Sequence, residues 1–175
     1  MGYTTNFEGE FKFDREVDDA MFEYMKAFNN IRHMKRDAEK ASKFVDIRRE
    51  SLDLPIGDEG EFYVGSVDDN NMGQDKDDSI LDYNNPPSRQ PGLWCQWTIG
   101  DNKKCLIWDG GEKFYSYTEW LSYLIDNIFK PCGYVLNGEV TWQGEDESDF
   151  GILGVENNKV YIRNGERAYG AKEYV

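Results

Sequence analysis

Phe7, Gly9, Phe11 and Phe13 alternate with Glu8, Glu10, Lys12 and Asp14, the period of two that marks a strand buried on one side. From Asp18, an N-cap residue, Met21, Tyr24, Met25, Phe28 and Ile31 return every three or four positions, and the period becomes that of a helix with one apolar face. A second, more basic helix is expected over residues 37–52, with Ala41, Phe44, Val45, Arg48 and Leu52 turned inward and Pro55 and Gly57 closing it. A short strand over 61–67 follows. Residues 93–99 and 104–109 read as a hairpin in which Ile99 faces Lys104, gathering Leu93, Cys95, Trp97, Ile99, Leu106 and Trp108 on one face. Ser116 and Glu119 form a capping-box pattern ahead of Trp120, Leu121, Leu124 and Ile128, and Pro131 ends that helix. Strands are then expected over 134–143, 152–155 and 159–163, with Asn157-Asn158 and Asn164-Gly165 as turn residues. The pattern predicts a single α+β domain over residues 1–175: a mostly antiparallel sheet, about three helices and a C-terminal β-meander.

Residues 68–92 break the pattern, because this polar stretch carries almost no apolar period, and a loop so long inside a compact domain is usually functional or disordered. Disorder of the whole chain is excluded by composition: ten Phe, eleven Tyr and five Trp, with 39% apolar residues, supply a core. No apolar run approaches the length of a membrane span, and the first residues lack the basic and apolar regions of a secretory signal. Asn6 stands where a myristoylation motif at Gly2 requires Ser or Thr. Cys95, Cys105 and Cys132 match no zinc spacing beside a single histidine, and the hairpin parity points Cys95 and Cys105 to opposite faces. Free thiols and a cytoplasmic location are the expectation.

Candidate chemistry is sparse. A Ser-His-Asp or Cys-His enzyme needs His33 as its base, and His33 lies among Arg32, Lys35 and Arg36 past the first helix, where a surface position or the helix C-terminus is expected. No nucleophile-elbow, phosphate-loop or dinucleotide-binding motif occurs. Read as a calcium loop from Asp68, the acidic run fails at Met72 and Ser79, where oxygen ligands are required, and no metal or cofactor is expected. Glu145, Asp146, Glu147 and Asp149 near Trp142 have the residue types of a glycosidase pair but no diagnostic spacing, and such groups usually solvate a turn. A ligand pocket around the Gly110-Gly111 turn is the alternative, built from Trp108, Asp109, Glu112 and Lys113 with Arg32 and Arg36.

Charge changes the picture more than any motif. The chain carries 34 acids and 20 bases, a net charge of −14. Residues 57–82 hold nine acids and one base, residues 137–158 six acids and no Lys or Arg, whereas residues 26–49 hold eight bases and three acids. Direct binding to nucleic acid is disfavoured, and a basic macromolecule becomes the expected partner. The residues first suspected of contacting it are Asp68, Asp69, Asp75, Asp77, Asp78, Asp82 and Tyr83. Glu8 and Glu10, about 6–7 Å apart on a strand, approach the spacing of phosphates along a nucleic-acid backbone.

The opening Met-Gly-Tyr-Thr-Thr, the Gln-Pro-Gly-Leu-Trp-Cys-Gln-Trp segment ending at Trp97, the Trp-Asp-Gly-Gly-Glu-Lys-Phe-Tyr segment from Trp108 and the Asn-Gly-Glu-Val-Thr-Trp-Gln-Gly-Glu-Asp segment ending at Asp146 together resemble a family of small acidic proteins of bacteriophages and diverse bacteria. That family has no assigned activity, so the resemblance implies a setting rather than a catalytic residue. The setting is the cytoplasm of a host cell, where such proteins are often inhibitors of host machinery. The expectation is therefore a binding or inhibitor protein acting on a basic host protein, such as a nucleic-acid-binding or defence protein, by imitating nucleic acid.

Overall fold

The computed structural model describes residues 2–65 and 73–175. Six strands form one antiparallel sheet, β1 (Thr5–Phe13), β4 (Trp97–Ile99), β5 (Cys105–Trp108), β6 (Leu136–Gly144), β7 (Phe150–Glu156) and β8 (Lys159–Asn164), in the order β4-β5-β1-β6-β7-β8. A separate ribbon pairs β2 (Lys35–Arg36) with β3 (Ile80–Asp82). Helices α1 (Asp19–Asn30) and α4 (Tyr117–Leu124) cover one face of the sheet, and α2 (Ala38–Ser42) and α3 (Ile47–Glu50) are short turns of helix beside it. The result is an α+β fold with a two-layer core.

The alternation in the first strand explains the centre of the sheet. Its even-numbered residues from Asn6 to Lys12 are exposed, while Phe7, Phe11 and Phe13 are buried against α1, α4 and the inner row of β6. β1 pairs with β6 along its whole length, setting Phe7 opposite Trp142, Gly9 opposite Val140 and Phe11 opposite Gly138. In the last two pairs a glycine faces the larger side chain. Gly138 has φ +141°, and a Cβ there would stand 2.9 Å from the Glu10 carbonyl oxygen and 3.1 Å from Phe11 Cα. The α1 face follows the expected period: Asp18 caps the helix by accepting from the Met21 N–H at 2.8 Å, and Met21, Tyr24, Met25, Ala27 and Phe28 are buried.

Four local expectations are corrected. The helix expected over 37–52 is two short helices, broken around Asp46 (φ −147°, ψ 59°), whose buried carboxylate accepts from Arg49 Nε at 2.7 Å and from the distant Gly65 N–H at 2.9 Å. The break turns Arg49 inward and leaves Val45 71% exposed. No strand forms at 61–65, where Glu61 and Tyr63 make turn hydrogen bonds to Asp58 and Gly60; residues 66 and 67 lie outside the described residues. The hairpin pairs Ile99 with Leu106 and Trp97 with Trp108 rather than Ile99 with Lys104, because β1 takes the Lys104 carbonyl through the Phe13 N–H at 2.9 Å. A shift of two keeps every side chain on its expected face. Ser116 makes no side-chain cap; it adopts φ +56° and α4 begins after it.

The meander is as expected, with its first strand beginning two residues later and its last two strands somewhat longer. Asn157 and Asn158 both have positive φ, the two-residue turn that matches the twist of the flanking strands. Among the described residues no helix is long and apolar enough to cross a membrane.

The close approach at Gly138 predicts that Gly138→Ala lowers stability by about 1–3 kcal/mol. Gly170, with open space around it, is the control. Gly170→Ala should stay within about 0.5 kcal/mol in urea unfolding.

Candidate functional site

The basic and acidic segments, far apart in sequence, meet at the β2–β3 ribbon. Lys35 lies opposite Asp82, and Arg36 opposite Ile80. Arg36 is only 4% exposed; its Nη1 donates to Asp77 Oδ2 at 2.9 Å and to Ser79 Oγ at 2.7 Å, and its guanidinium lies 4.4 Å from the centre of the Tyr63 ring. Ser79 in turn donates to Asp77 through both its N–H and its hydroxyl. Partial burial pushes the Asp77 carboxyl up, but the hydrogen bonds from Ser79 and Arg36 outweigh it and hold the group below the usual carboxylate range. Lys35 pairs with Glu59 at 3.3 Å. Arg32 stacks 4.3 Å from the Tyr83 ring centre and donates through Nε to the Tyr83 carbonyl at 3.0 Å. Asp82 accepts from the Asn84 N–H at 2.9 Å and from Asn85 Nδ2 at 2.8 Å, which lower its pKa, the Asn85 contact first.

Of the residues suspected of partner contact, Asp77, Asp82 and Tyr83 are therefore engaged within the protein itself. Asp77 and Asp78 also line a depression of about 490 Å³ with Lys40, Lys43 and Phe44. Asp75 likewise has a partner within the chain. Asp68 and Asp69 lie outside the described residues.

The residues of the alternative pocket are held by two separate sets of contacts. Trp108 Nε1 donates to Gln96 Oε1 at 3.2 Å, and Gln96 Nε2 donates to the Glu112 carbonyl at 2.7 Å. Asp109 accepts from Asn29 Nδ2 at 3.0 Å and from the Gly111 N–H at 2.8 Å. Lys113 has φ +60°, and its methylenes lie against Gly2. Arg32 and Arg36 make their contacts on the ribbon instead.

The second acidic cluster fastens the N-terminal segment to the β6–β7 turn. Glu145 accepts from the Thr4 N–H at 2.7 Å, and Asp149 accepts from the Tyr3 hydroxyl at 2.7 Å and from Trp142 Nε1 at 2.9 Å. Asp146 caps Ser148, and Glu147 pairs with Arg167 at 2.9 Å. Among the described residues no group of three His, Cys, Asp or Glu side chains is arranged to hold a metal ion.

His33 is not at the surface. It is buried with its ring 4.2 Å from Phe28 and 5.1 Å from Trp120, and Nε2 donates to the Phe28 carbonyl at 2.9 Å. Desolvation drives its pKa down to about 3, against the hydrogen bond to Phe28, so the imidazole is neutral. The three cysteines are unpaired, and burial raises each thiol pKa.

Two features carried no sequence signal. The first is a buried polar centre: Glu61 accepts from the Tyr123 hydroxyl at 2.7 Å, from the Asp58 N–H at 3.1 Å and from Arg89 Nη1 at 3.2 Å, while Gln90 Nε2 donates to the Glu61 carbonyl at 2.7 Å. Burial and then the Glu61 contact push the Tyr123 phenol up. The second is a depression of about 570 Å³ on the uncovered sheet face, where Phe150 and Ile152 lie among Glu8, Thr141, Arg163 and Glu166. Most of its residues come from four strands, and their register assembles them: Glu8 faces Thr141, Thr141 faces Ile152, and Ile152 faces Arg163.

Comparison with protein-family models, with curated proteins and with solved structures gives no match.

The His33 environment sets a pH dependence. The unfolded chain binds a proton on this group below about pH 6.5, whereas the folded chain binds it only near pH 3. Stability is therefore fully present above about pH 6.5 and falls, by about 1.4 kcal/mol per pH unit, as the pH drops through the window. Urea unfolding between about pH 7 and pH 5, above most carboxylate titrations, should show this slope, and His33→Phe should flatten it. An unchanged slope in the variant would place the protonation elsewhere.

Proposed function

We propose that the protein is a binding protein that engages a macromolecule with a basic surface through the uncovered face of its sheet. One observation carries the reading. Glu8, Glu10 and Glu139 are exposed on the two central strands, with Glu10 directly opposite Glu139, beside the depression that holds Phe150 and Ile152. Like charges set opposite each other on adjacent strands cost stability. Arg163 offsets part of that cost from 3.7 Å, at an exposed pair of little worth. A cationic partner would relieve the rest, and the apolar floor would give it a desolvated anchor point. The three carboxylates lie at strand spacings of about 5–7 Å, which supports the narrower form of the reading, an inhibitor that imitates nucleic acid before a basic host protein. Cytoplasm and free thiols belong to the same reading.

The test uses a labelled oligo-arginine peptide as a stand-in for the basic surface, with anisotropy read at about 0.15 M salt, where screening confines exposed charges to about 8 Å. The triple variant Glu8→Gln, Glu10→Gln, Glu139→Gln should bind at least about tenfold more weakly than the native protein. A control with the same charge change elsewhere, Asp101→Asn, Asp126→Asn, Glu173→Gln, should lose much less. Equal losses in the two variants would mean that net charge alone attracts the peptide and that this face is not the interface.

A further inference from the structure

The geometry points to the free edge of β8 as a docking site for an extended segment of another polypeptide, one whose side chains alternate acidic and apolar. The edge borders the acidic face described above, and Arg163, 3.7 Å from Glu139, belongs to both. The Asn157-Asn158 turn closes the pair Glu156 and Lys159, and at the far end the Gly165 N–H donates to the Phe150 carbonyl at 2.8 Å. In an antiparallel ladder the bonded residues alternate, so Lys159, Tyr161 and Arg163 turn their backbone groups to β7, and Val160, Ile162 and Asn164 turn theirs away from the sheet. Among the described residues β8 is the terminal strand and nothing pairs with those outward groups. The strand at the opposite edge, β4, is only three residues long, against six in β8.

The side chains define the occupant. On the open face the edge presents Lys159, Tyr161 and Arg163, two cations in a chain of net charge −14. On the helix side it presents Val160, which packs against the core, and Ile162, which is 48% exposed. A strand laid along this edge sets alternate residues beside each row, so carboxylates match Lys159 and Arg163 while aliphatic side chains cover Ile162. A second copy is a poor occupant, since it brings the same two cations to the edge and another −14 to the complex.

The probe is a blocked peptide of about eight residues alternating glutamate and valine, with amide hydrogen exchange as the readout. Saturating peptide should slow exchange at Val160, Ile162 and Asn164 by at least about tenfold, while Tyr161 and Arg163, already bonded to β7, change little. Ile162→Pro removes an outward donor without touching the β7 ladder, a placement that edge strands tolerate, and should abolish the protection. The double variant Lys159→Glu, Arg163→Glu leaves the backbone unaltered and should transfer the preference to a peptide alternating lysine and valine. Absence of protection at the three amides, or equal protection by both peptides with the native protein, would overturn the proposal. So would a dimer in sedimentation whose β8 amides are protected without peptide, because the edge would then belong to a second copy.

Discussion

The aromatic seam along the inner face of β1 is the contact on which the rest of the molecule depends. Phe7 meets Trp97, Trp108 and Tyr117 edge to face, with centroids 5.3, 5.4 and 4.9 Å away, and Phe13 meets Phe129 at 5.0 Å. Through these rings one strand touches both hairpin strands, the start of α4 and the helical segment Ile125–Phe129 that continues it. Edge-to-face pairs add about 0.5–1.5 kcal/mol each beyond the area they bury. Burying this row commits the intervening residues to the other face, which places Glu8 and Glu10 in water at the middle of the sheet. The acidic face is thus a consequence of the core and not a separate decoration.

A second constraint is the desolvation of charge. Arg36, Arg49 and Glu61 are buried in a protein with a large charge excess, and each is held by specific partners: Asp77 and Ser79, Asp46 and the Leu54 carbonyl, Tyr123 and Arg89. Removing one member of such a pair is far more costly than the net worth of the pair, because the other charge stays buried. These pairs secure the ribbon and the turns around it, where the chain has little apolar periodicity of its own. They also draw part of the acidic loop onto the basic segment, so the surface charge differs from the charge map of the linear chain.

His33 shows how tertiary packing overrides a local reading. Its neighbours Arg32, Lys35 and Arg36 mark the segment as surface, yet its ring fills space between Phe28 and Trp120, from the two helices that cover the sheet. The flanking cations are held by Tyr83, Glu59 and Asp77, Arg36 itself being buried. Burial makes the imidazole neutral and structural, a role far from that of a catalytic base.

The amino-acid sequence alone determined the elements whose burial is one-sided and local: β1, α1, α4 and the C-terminal meander. A strand or helix with one wet face writes its period directly into the chain, and a two-residue turn such as Asn157-Asn158 writes its φ requirement there as well. The hairpin faces were legible for the same reason, although its register was not, since β1 competes for the Lys104 carbonyl. Tertiary structure alone decided the break at Asp46, the Arg36–Asp77 pairing, the Glu61 centre and the depression between β1 and β8. Each joins groups separated by tens of residues through hydrogen bonds or strand register, and such pairings leave no period to read. Which carboxylates face a partner and which are neutralised within the fold follows from that long-range pairing, because a charge declares its role only where its neighbours in space are known.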